Sequence, residues 1–307
     1  MGYTICMLGC GTMGVAILSG MLASLESNTS RHQWQNHPTG TTAPEQKSDS
    51  SLPSRFLACV NGQDSVKRLQ KHFQSLGGEA VEVSAKNNVE AAKRAQVIIL
   101  GCKPQIARTI LDEEGMRDAL EGKLVISILA GVTIKQLKSL VSPTTKIIRA
   151  MPNTPCKIRE GMTVVSTIPA SSDVEHDSAI VLAIFSSIGR CRILDEKHFD
   201  ACTALSGSGP AFACIFLEAM ADGGVMMGLP RAEALELAAQ SLQGAARMAL
   251  QPGAHPAQIK DAVTTPGGCT IAGLLTLEDG KVRSTIARTI QAATERASQL
   301  GQLAELN

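Results

Sequence analysis

Residues 3–14 read Tyr3-Thr4-Ile5-Cys6-Met7-Leu8-Gly9-Cys10-Gly11-Thr12-Met13-Gly14, and Val15-Ala16-Ile17-Leu18-Ser19-Gly20-Met21-Leu22 follows without a break. The opening residues are an apolar run of strand length, and the closing ones have helical character. Between them stands G-x-G-x-x-G, a weak pattern alone and an informative one when a strand precedes it and a helix follows. In that setting Gly9 makes the tight turn, Gly11 admits a pyrophosphate to the backbone, and Gly14 lets helix pack on strand. The stretch predicts a dinucleotide site at the start of an α/β sheet.

The alternation continues down the chain. Strands are expected at Phe56–Val60, Ala80–Val83, Gln96–Cys102, Lys123–Leu129, Lys146–Ala150 and Gly161–Ser166. Helices are expected at Ser65–Leu76, Val89–Arg94, Ile106–Ala119 and Val132–Val141. This pattern predicts a Rossmann-like, doubly wound, largely parallel sheet over residues 1–168. Glu26–Arg55 is rich in Ser, Thr, Asn, Gln, Pro and His and is expected to be a low-complexity surface loop. From residue 169 the character changes. Apart from a short Cys191–Leu194 strand, the segments Asp173–Gly189, Ala211–Gly228, Arg231–Leu250, Pro256–Val263, Thr270–Leu277 and Val282–Leu300 read as helices, so an all-helical domain is expected over residues 169–307. Helix Ala211–Gly228 is apolar nearly all round and calls for cover on every side, which one small helical domain does not offer. A subunit interface is inferred.

Ligands of such a sheet lie beyond the carboxyl ends of its strands. There stand Gly101-Cys102-Lys103-Pro104, Leu129-Ala130-Gly131 and Met151-Pro152-Asn153-Thr154-Pro155. Lys103 can meet a phosphate or ribose, or be a solvated strand-end lysine. Asn153 can hold a nicotinamide amide, or merely shape its turn. After Val60 come Asn61-Gly62-Gln63, where an NAD binder usually carries an acidic residue for the ribose 2′-OH. Lys67 and Arg68 follow, able to meet a 2′-phosphate, although Asp64 is close. NADPH is therefore preferred, with NADH second.

Near the other end, Asp261-Ala262-Val263-Thr264-Thr265-Pro266-Gly267-Gly268-Cys269-Thr270 reads as a helix, a tight turn and the start of another helix. The N–H groups that open the new helix, with its dipole, favour an anion in the gap. Thr265 and Thr270 add hydroxyls. Reduction of a ketone needs a proton donor, commonly His or Lys. No His lies in any of these glycine or proline motifs. A basic C=N nitrogen makes no such demand, so an imine suits the site better than a ketone.

Composition narrows the partners. The 307 residues suffice for two domains, and 44% are hydrophobic. A net charge of +1 and 3% aromatic residues argue against nucleic acid and acidic membranes. Nine cysteines without C-x-x-C spacing read as buried reduced thiols. The six histidines show no metal spacing, so no metal site is expected. Ala211–Leu229 contains Glu218 and Asp222 and reads as a buried helix rather than a membrane span. A first strand at residue 3 leaves no room for a leader, so a cytoplasmic location is expected.

These motifs, with Arg149-Ala150-Met151-Pro152-Asn153-Thr154-Pro155, Arg159-Glu160-Gly161, Leu205-Ser206-Gly207-Ser208-Gly209-Pro210 and Asp261 through Glu278, resemble the delta-1-pyrroline-5-carboxylate reductase family over nearly the whole chain outside Glu26–Arg55. The resemblance implies reduction of L-1-pyrroline-5-carboxylate to L-proline, the last step of proline biosynthesis, with NAD(P)H. It also implies an active site between the nucleotide domain of one subunit and the helical domains of a homodimer, and further assembly such as a decamer. By position it assigns the substrate to Thr265, Gly268, Cys269 and Thr270, with Thr270 as the catalytic residue. It assigns the cofactor to Gly11, Thr12, Met13, Asn61, Asn88, Lys103, Pro104, Ala130 and Asn153, to which the glycine motif adds Gly9 and Gly14. Cys269 stands where alanine is common in the family; its part there is played by backbone. The rival readings are an NADPH-dependent reductase of another cyclic imino acid, a β-hydroxyacid dehydrogenase and a non-catalytic NADP sensor. Ala211–Gly228 lacks the lysine that the dehydrogenase needs, and an intact Thr265–Thr270 turn argues against a sensor.

Overall fold

The computed structural model describes residues 2–26, 53–168 and 173–303. The expected loop lies, from 27 to 52, outside the described residues; its last three residues, 53–55, already belong to a strand. In chain order Tyr3–Leu8 forms β1, Thr12–Glu26 α1, Pro53–Val60 β2, Gln63–Gln74 α2, Val81–Ala85 β3, Asn88–Arg94 α3 and Val97–Leu100 β4. Next come Pro104–Leu111 (α4), Met116–Ala119 (α5), Leu124–Ser127 (β5), Ile134–Lys138 (α6), Lys146–Met151 (β6), Gly161–Ser166 (β7), Val174–Ser186 (α7) and Gly189–Leu194 (β8). The single helix expected over Ile106–Ala119 is two, because Gly115 takes φ +82 between them.

The eight strands form one sheet in the order β3-β2-β1-β4-β5-β6-β7-β8. The first six are parallel, β7 runs antiparallel to β6, and β8 runs parallel to β7. Side chains alternate between the faces. Ile5, Met7, Phe56, Ala58, Val97 and Ile99 enter a core with α1, α2 and α7. Cys6, Leu8, Leu57, Cys59, Ile98 and Leu100 enter a second core with helices on the opposite face, α3 to α6. A parallel sheet covered on both sides needs apolar residues at every position of its central strands, and this is why β1, β4 and β5 lack polar alternation.

The boundary expected near residue 169 does not mark the end of the sheet. β8 is its edge strand, and α7 packs Ile180, Val181, Ile184 and Phe185 into the core shared with β1 and α1. The helical unit begins at Glu196. A 3-10 turn Glu196–His198 leads into Phe199–Cys202 (α8), a π-helical turn at Thr203–Gly207, Gly209–Met226 (α9), Arg231–Ala249 (α10), Pro256–Ala262 (α11), Cys269–Asp279 (α12) and Val282–Leu303 (α13). α9 packs on α10, and α13 packs on α8, the π turn and α12.

This unit buries little of its own apolar surface. Beyond residue 195 the buried apolar side chains among the described residues are Phe199, Ala204, Ala221, Ala234 and Ala238. Helix α9, expected to be covered all round, leaves Ile215 65% and Met226 81% exposed in the single chain. By length and composition alone, the run Glu196–Met226 could also cross a membrane.

Phe185 is fully buried. Phe185→Ala is expected to lower the unfolding free energy by about 3–5 kcal/mol, the usual cost of emptying an aromatic site in a core. Urea denaturation checks this: a change near zero would detach α7 from the sheet core.

Candidate functional site

The sheet order reverses between β1 and β4, and the connections leaving these strands diverge to opposite faces, which opens a crevice at the carboxyl edge. Every residue assigned to the cofactor from sequence follows one of the six parallel strands at this edge. Gly9–Gly14 follow β1, Asn61 follows β2, Asn88 follows β3, Lys103 and Pro104 follow β4, Ala130 follows β5, and Asn153 follows β6.

The glycines differ in what they permit. Gly9 has φ +86, and a Cβ there would lie 2.6 Å from the Cys102 backbone. Its N–H and that of Cys10 both donate to the Cys59 carbonyl, at 3.2 and 2.9 Å. Gly14 sits where a Cβ would press Met7 Cγ at 3.1 Å, so it sets the approach of α1 to β1. At Gly11 a Cβ would meet nothing within 4 Å. That open space stands before the N-terminus of α1, whose first residues are Thr12 and Met13. Backbone N–H groups, a positive helix end and free room together suit a pyrophosphate.

The flanking residues divide. Asn61 is exposed ahead of Gly62, which caps α2 and has open space beside it. Lys67 and Arg68 are exposed on that helix and have no carboxylate partner among the described residues. Lys103 caps α4 with its side chain in solvent, and Pro104 supplies a fixed φ at the first helical position. Ala130 is exposed beside Gly131, which takes φ +75. The side chain of Asn88 donates to Glu113 Oε1 at 2.6 Å, which leaves its carbonyl oxygen for a ligand. Asn153 is more committed. Its Oδ1 accepts from Met162 N at 2.8 Å and its Nδ2 donates to Ser206 O at 3.0 Å. These two bonds tie the turn after β6 to β7 and to the helical unit, so the side chain shapes its turn.

The other candidate residues are on the helical unit. Gly267 turns the chain with φ +66, and Gly268 then caps α12 in an extended conformation. Thr265 Oγ1 lies against Gly268, where any Cβ would strike it. Gly268 N–H donates to Thr265 O at 3.1 Å, which closes the turn. No side chain caps α12, so the N–H groups of Cys269 and Thr270 point outward from a positive helix end. Thr265, Gly268, Cys269 and Thr270 thus share one turn and the helix start that follows it. α12 packs on α13 of the helical unit. Among the described residues no group of three or more His, Cys, Asp or Glu is placed to hold a metal ion.

Comparison with known proteins adds family relations. Residues 196–300 match the family described as pyrroline-5-carboxylate reductase dimerisation, and residues 40–131 match one described as NADP oxidoreductase, coenzyme F420-dependent. The chain is 46% identical over 299 residues to a pyrroline-5-carboxylate reductase of Schizosaccharomyces pombe, covering 97% of this chain and 99% of that one. Among solved structures it is similar to a pyrroline-5-carboxylate reductase of Coxiella burnetii (27% identity, TM-score 0.79, 97% and 98% of the two chains). It is also similar to a pyrroline carboxylate reductase of Plasmodium falciparum with NADP bound (27% identity, TM-score 0.74, 97% and 98%).

Thiols underlie the crevice. Burial pushes Cys10 up to about 12, and Cys102, beside Gly9, up to about 11. Cys191 in β8 is likewise pushed up to about 12. Each is held as the neutral thiol by loss of water around its charged form. In the unfolded chain these groups ionise near their ordinary value of about 9. Between there and 11–12 the folded state binds more protons, so stability falls as pH rises through that window. The urea midpoint is expected to be insensitive to these thiols below about pH 8 and to drop between about pH 9 and 12. A midpoint that rose over that range would contradict the assignment.

Proposed function

The chain belongs to the pyrroline-5-carboxylate reductase family, and from that premise we propose that it reduces the C=N bond of L-1-pyrroline-5-carboxylate with NADPH to give L-proline. The observation that carries the reading is the uncapped N-terminus of α12, framed by Thr265 and Thr270. A cyclic imino acid presents a carboxylate next to a basic ring nitrogen, and this turn offers a complement to each.

The chain's own groups divide the work. The N–H groups of Cys269 and Thr270 and the hydroxyl of Thr265 bind the carboxylate, with the α12 dipole adding to the attraction. Gly268 keeps Thr265 Oγ1 unobstructed. The basic ring nitrogen would bind as the protonated iminium and donate its N–H to Thr270 Oγ, which orients the ring, so that hydride addition at carbon leaves the neutral secondary amine with no further proton required. When bound, the nicotinamide supplies a hydride to the imine carbon. Gly9, Gly11 and Gly14 with the α1 N-terminus would hold the pyrophosphate, while Asn61, Lys67 and Arg68 would meet the ribose end. Lys103, Pro104 and Ala130 line the path between. Asn88 has a free carbonyl oxygen toward the same edge, and Asn153 acts by fixing its loop. Placement of two bound reactants supplies most of the acceleration, because an iminium needs little acid help.

The crevice and the turn occupy different units, and the helical unit leaves its apolar faces bare. Both facts support a homodimer in which a second copy covers α9 and completes the site. Further assembly such as a decamer, and a cytoplasmic location, belong to the same reading. Cover by a second copy also accounts for the apolar run Glu196–Met226 without a membrane.

Following absorbance at 340 nm with pyrroline-5-carboxylate and either cofactor is the direct test. Proline formation is expected, faster with NADPH than with NADH. Folded, NADPH-binding protein without turnover would transfer the reading to another cyclic imine. Thr270→Ala is expected to lower turnover by about 10-fold or more, the scale of one transition-state hydrogen bond. Full turnover in that variant would remove Thr270 from the mechanism. Lys67→Ala combined with Arg68→Ala is expected to raise the KM for NADPH by about 10-fold or more, as befits lost contacts to a charged group, and to leave the KM for NADH unchanged. Equal effects on both cofactors would place these cations away from the 2′-phosphate.

A further inference from the structure

The end of β6 and the start of the helical unit are joined by contacts that the proposed chemistry does not use. Arg149, Met151 and Asn153 are alternate residues along β6 and its exit, so their side chains leave the same side. Glu196, Phe199, Thr203 and Ser206 recur at three- and four-residue spacing, which is one face of a helix. The two faces meet rung by rung. Arg149 Nη1 lies 3.1 Å from Glu196 Oε1, and the guanidinium carbon lies 4.7 Å from the centre of the Phe199 ring. The Thr203 hydroxyl lies 2.8 Å from both the Phe199 carbonyl and the Met151 sulfur. Asn153 Nδ2 reaches the Ser206 carbonyl.

Glu196 also holds a third element. Its Oε1 accepts the N–H of Ile134 at 3.0 Å, the first residue of α6, which leads from the Ala130–Gly131 loop. The Arg149 side chain is only 7% exposed, so removing its carboxylate partner leaves a buried cation without an anion. The π-helical turn Thr203–Gly207 falls within the same contact, a distortion that often accompanies function.

Resting on the reading of the chain as an imine reductase, we propose that Glu196 is a positioning residue: through Arg149 and Ile134 N–H it sets the nicotinamide-side loops of the sheet against the helical unit that carries the Thr265–Thr270 turn. It touches neither reactant. Its effect is on how closely and at what angle the two halves of the site present their ligands, to which hydride transfer is acutely sensitive.

The experiment compares Glu196→Ala and Glu196→Gln with the unaltered protein. Glutamine keeps an acceptor for Ile134 N–H but weakens the pairing with Arg149. Glu196→Ala is expected to lower kcat by about 10-fold or more while the KM for NADPH stays unchanged, because a small misplacement away from the chemistry suffices for such a loss. The primary isotope effect with NADPH deuterated at the transferred position should rise, and Glu196→Gln should recover part of the rate. Independently of turnover, hydrogen exchange in residues 130–138 and 199–207 should quicken together in Glu196→Ala. Unchanged exchange in these two segments overturns the proposal, as does wild-type kcat in Glu196→Ala. If the unaltered protein fails to reduce pyrroline-5-carboxylate, the reading of its substrate falls, and the exchange result still decides the joint.

Discussion

A parallel strand can be reached only by a crossover that returns the chain to the far edge of the sheet, and this constraint places the site. With six parallel strands, β1 to β6, each connection that starts a new element leaves from the same carboxyl edge. The reversal of order between β1 and β4 splits those connections to the two faces and leaves a crevice. Residues as far apart in sequence as Gly9 and Ala130 therefore share one edge without any direct contact being required of them. The apolar residues on both faces of the sheet make that edge rigid. Burial of Met7 and Phe56 on one face of the adjacent strands β1 and β2, and of Leu8 and Leu57 on the other, fixes the register on which the Gly9–Cys59 and Cys10–Cys59 hydrogen bonds depend.

The helical unit obeys a different balance. Its helices are long and apolar, yet among the described residues they bury mainly alanines, and alanines fill little volume. Large side chains on α9, α10 and α12 point away from the chain's own interior, and exposure on that scale is unfavourable for a solitary protein. Residues 196–300, which carry this surface, are the ones that match the pyrroline-5-carboxylate reductase dimerisation family. The Thr265–Thr270 turn lies on the helical unit and the glycine loop on the sheet, so any chemistry that uses both depends on how the two units are placed. The contacts between β6 and the Glu196–Ser206 face are where the sheet and the helical unit meet.

Much of this was legible in the residues. The strand before Gly9, the helix after it and the order of the glycines identify the cofactor loop, because each glycine answers a local steric demand. The Thr265–Thr270 turn was legible for the same reason: Pro266, Gly267 and Gly268 can shape only a narrow range of backbones. Other features escaped. β8 was read as a stray strand and α7 as part of the helical domain, because nothing local in Gly189–Leu194 records that its partner is β7. Ile106–Ala119 was read as one helix, since its apolar spacing hides the left-handed Gly115. The bonds of Asn153 to Met162 N and Ser206 O, which tie its turn to β7 and the helical unit, were not legible either.

The sequence by itself determined the elements, the nucleotide loop and the anion-seeking turn, since each depends on residues within a few positions of one another and on the steric limits of glycine and proline. The tertiary structure alone decided where the sheet ends, which face each helix covers and what Glu196 holds. Those outcomes depend on distance in space. Arg149 and Glu196 are separated by the whole of β7, α7 and β8, and no pattern of spacing along the chain expresses a contact that exists only once the sheet has brought β6 beside the first turn of the helical unit.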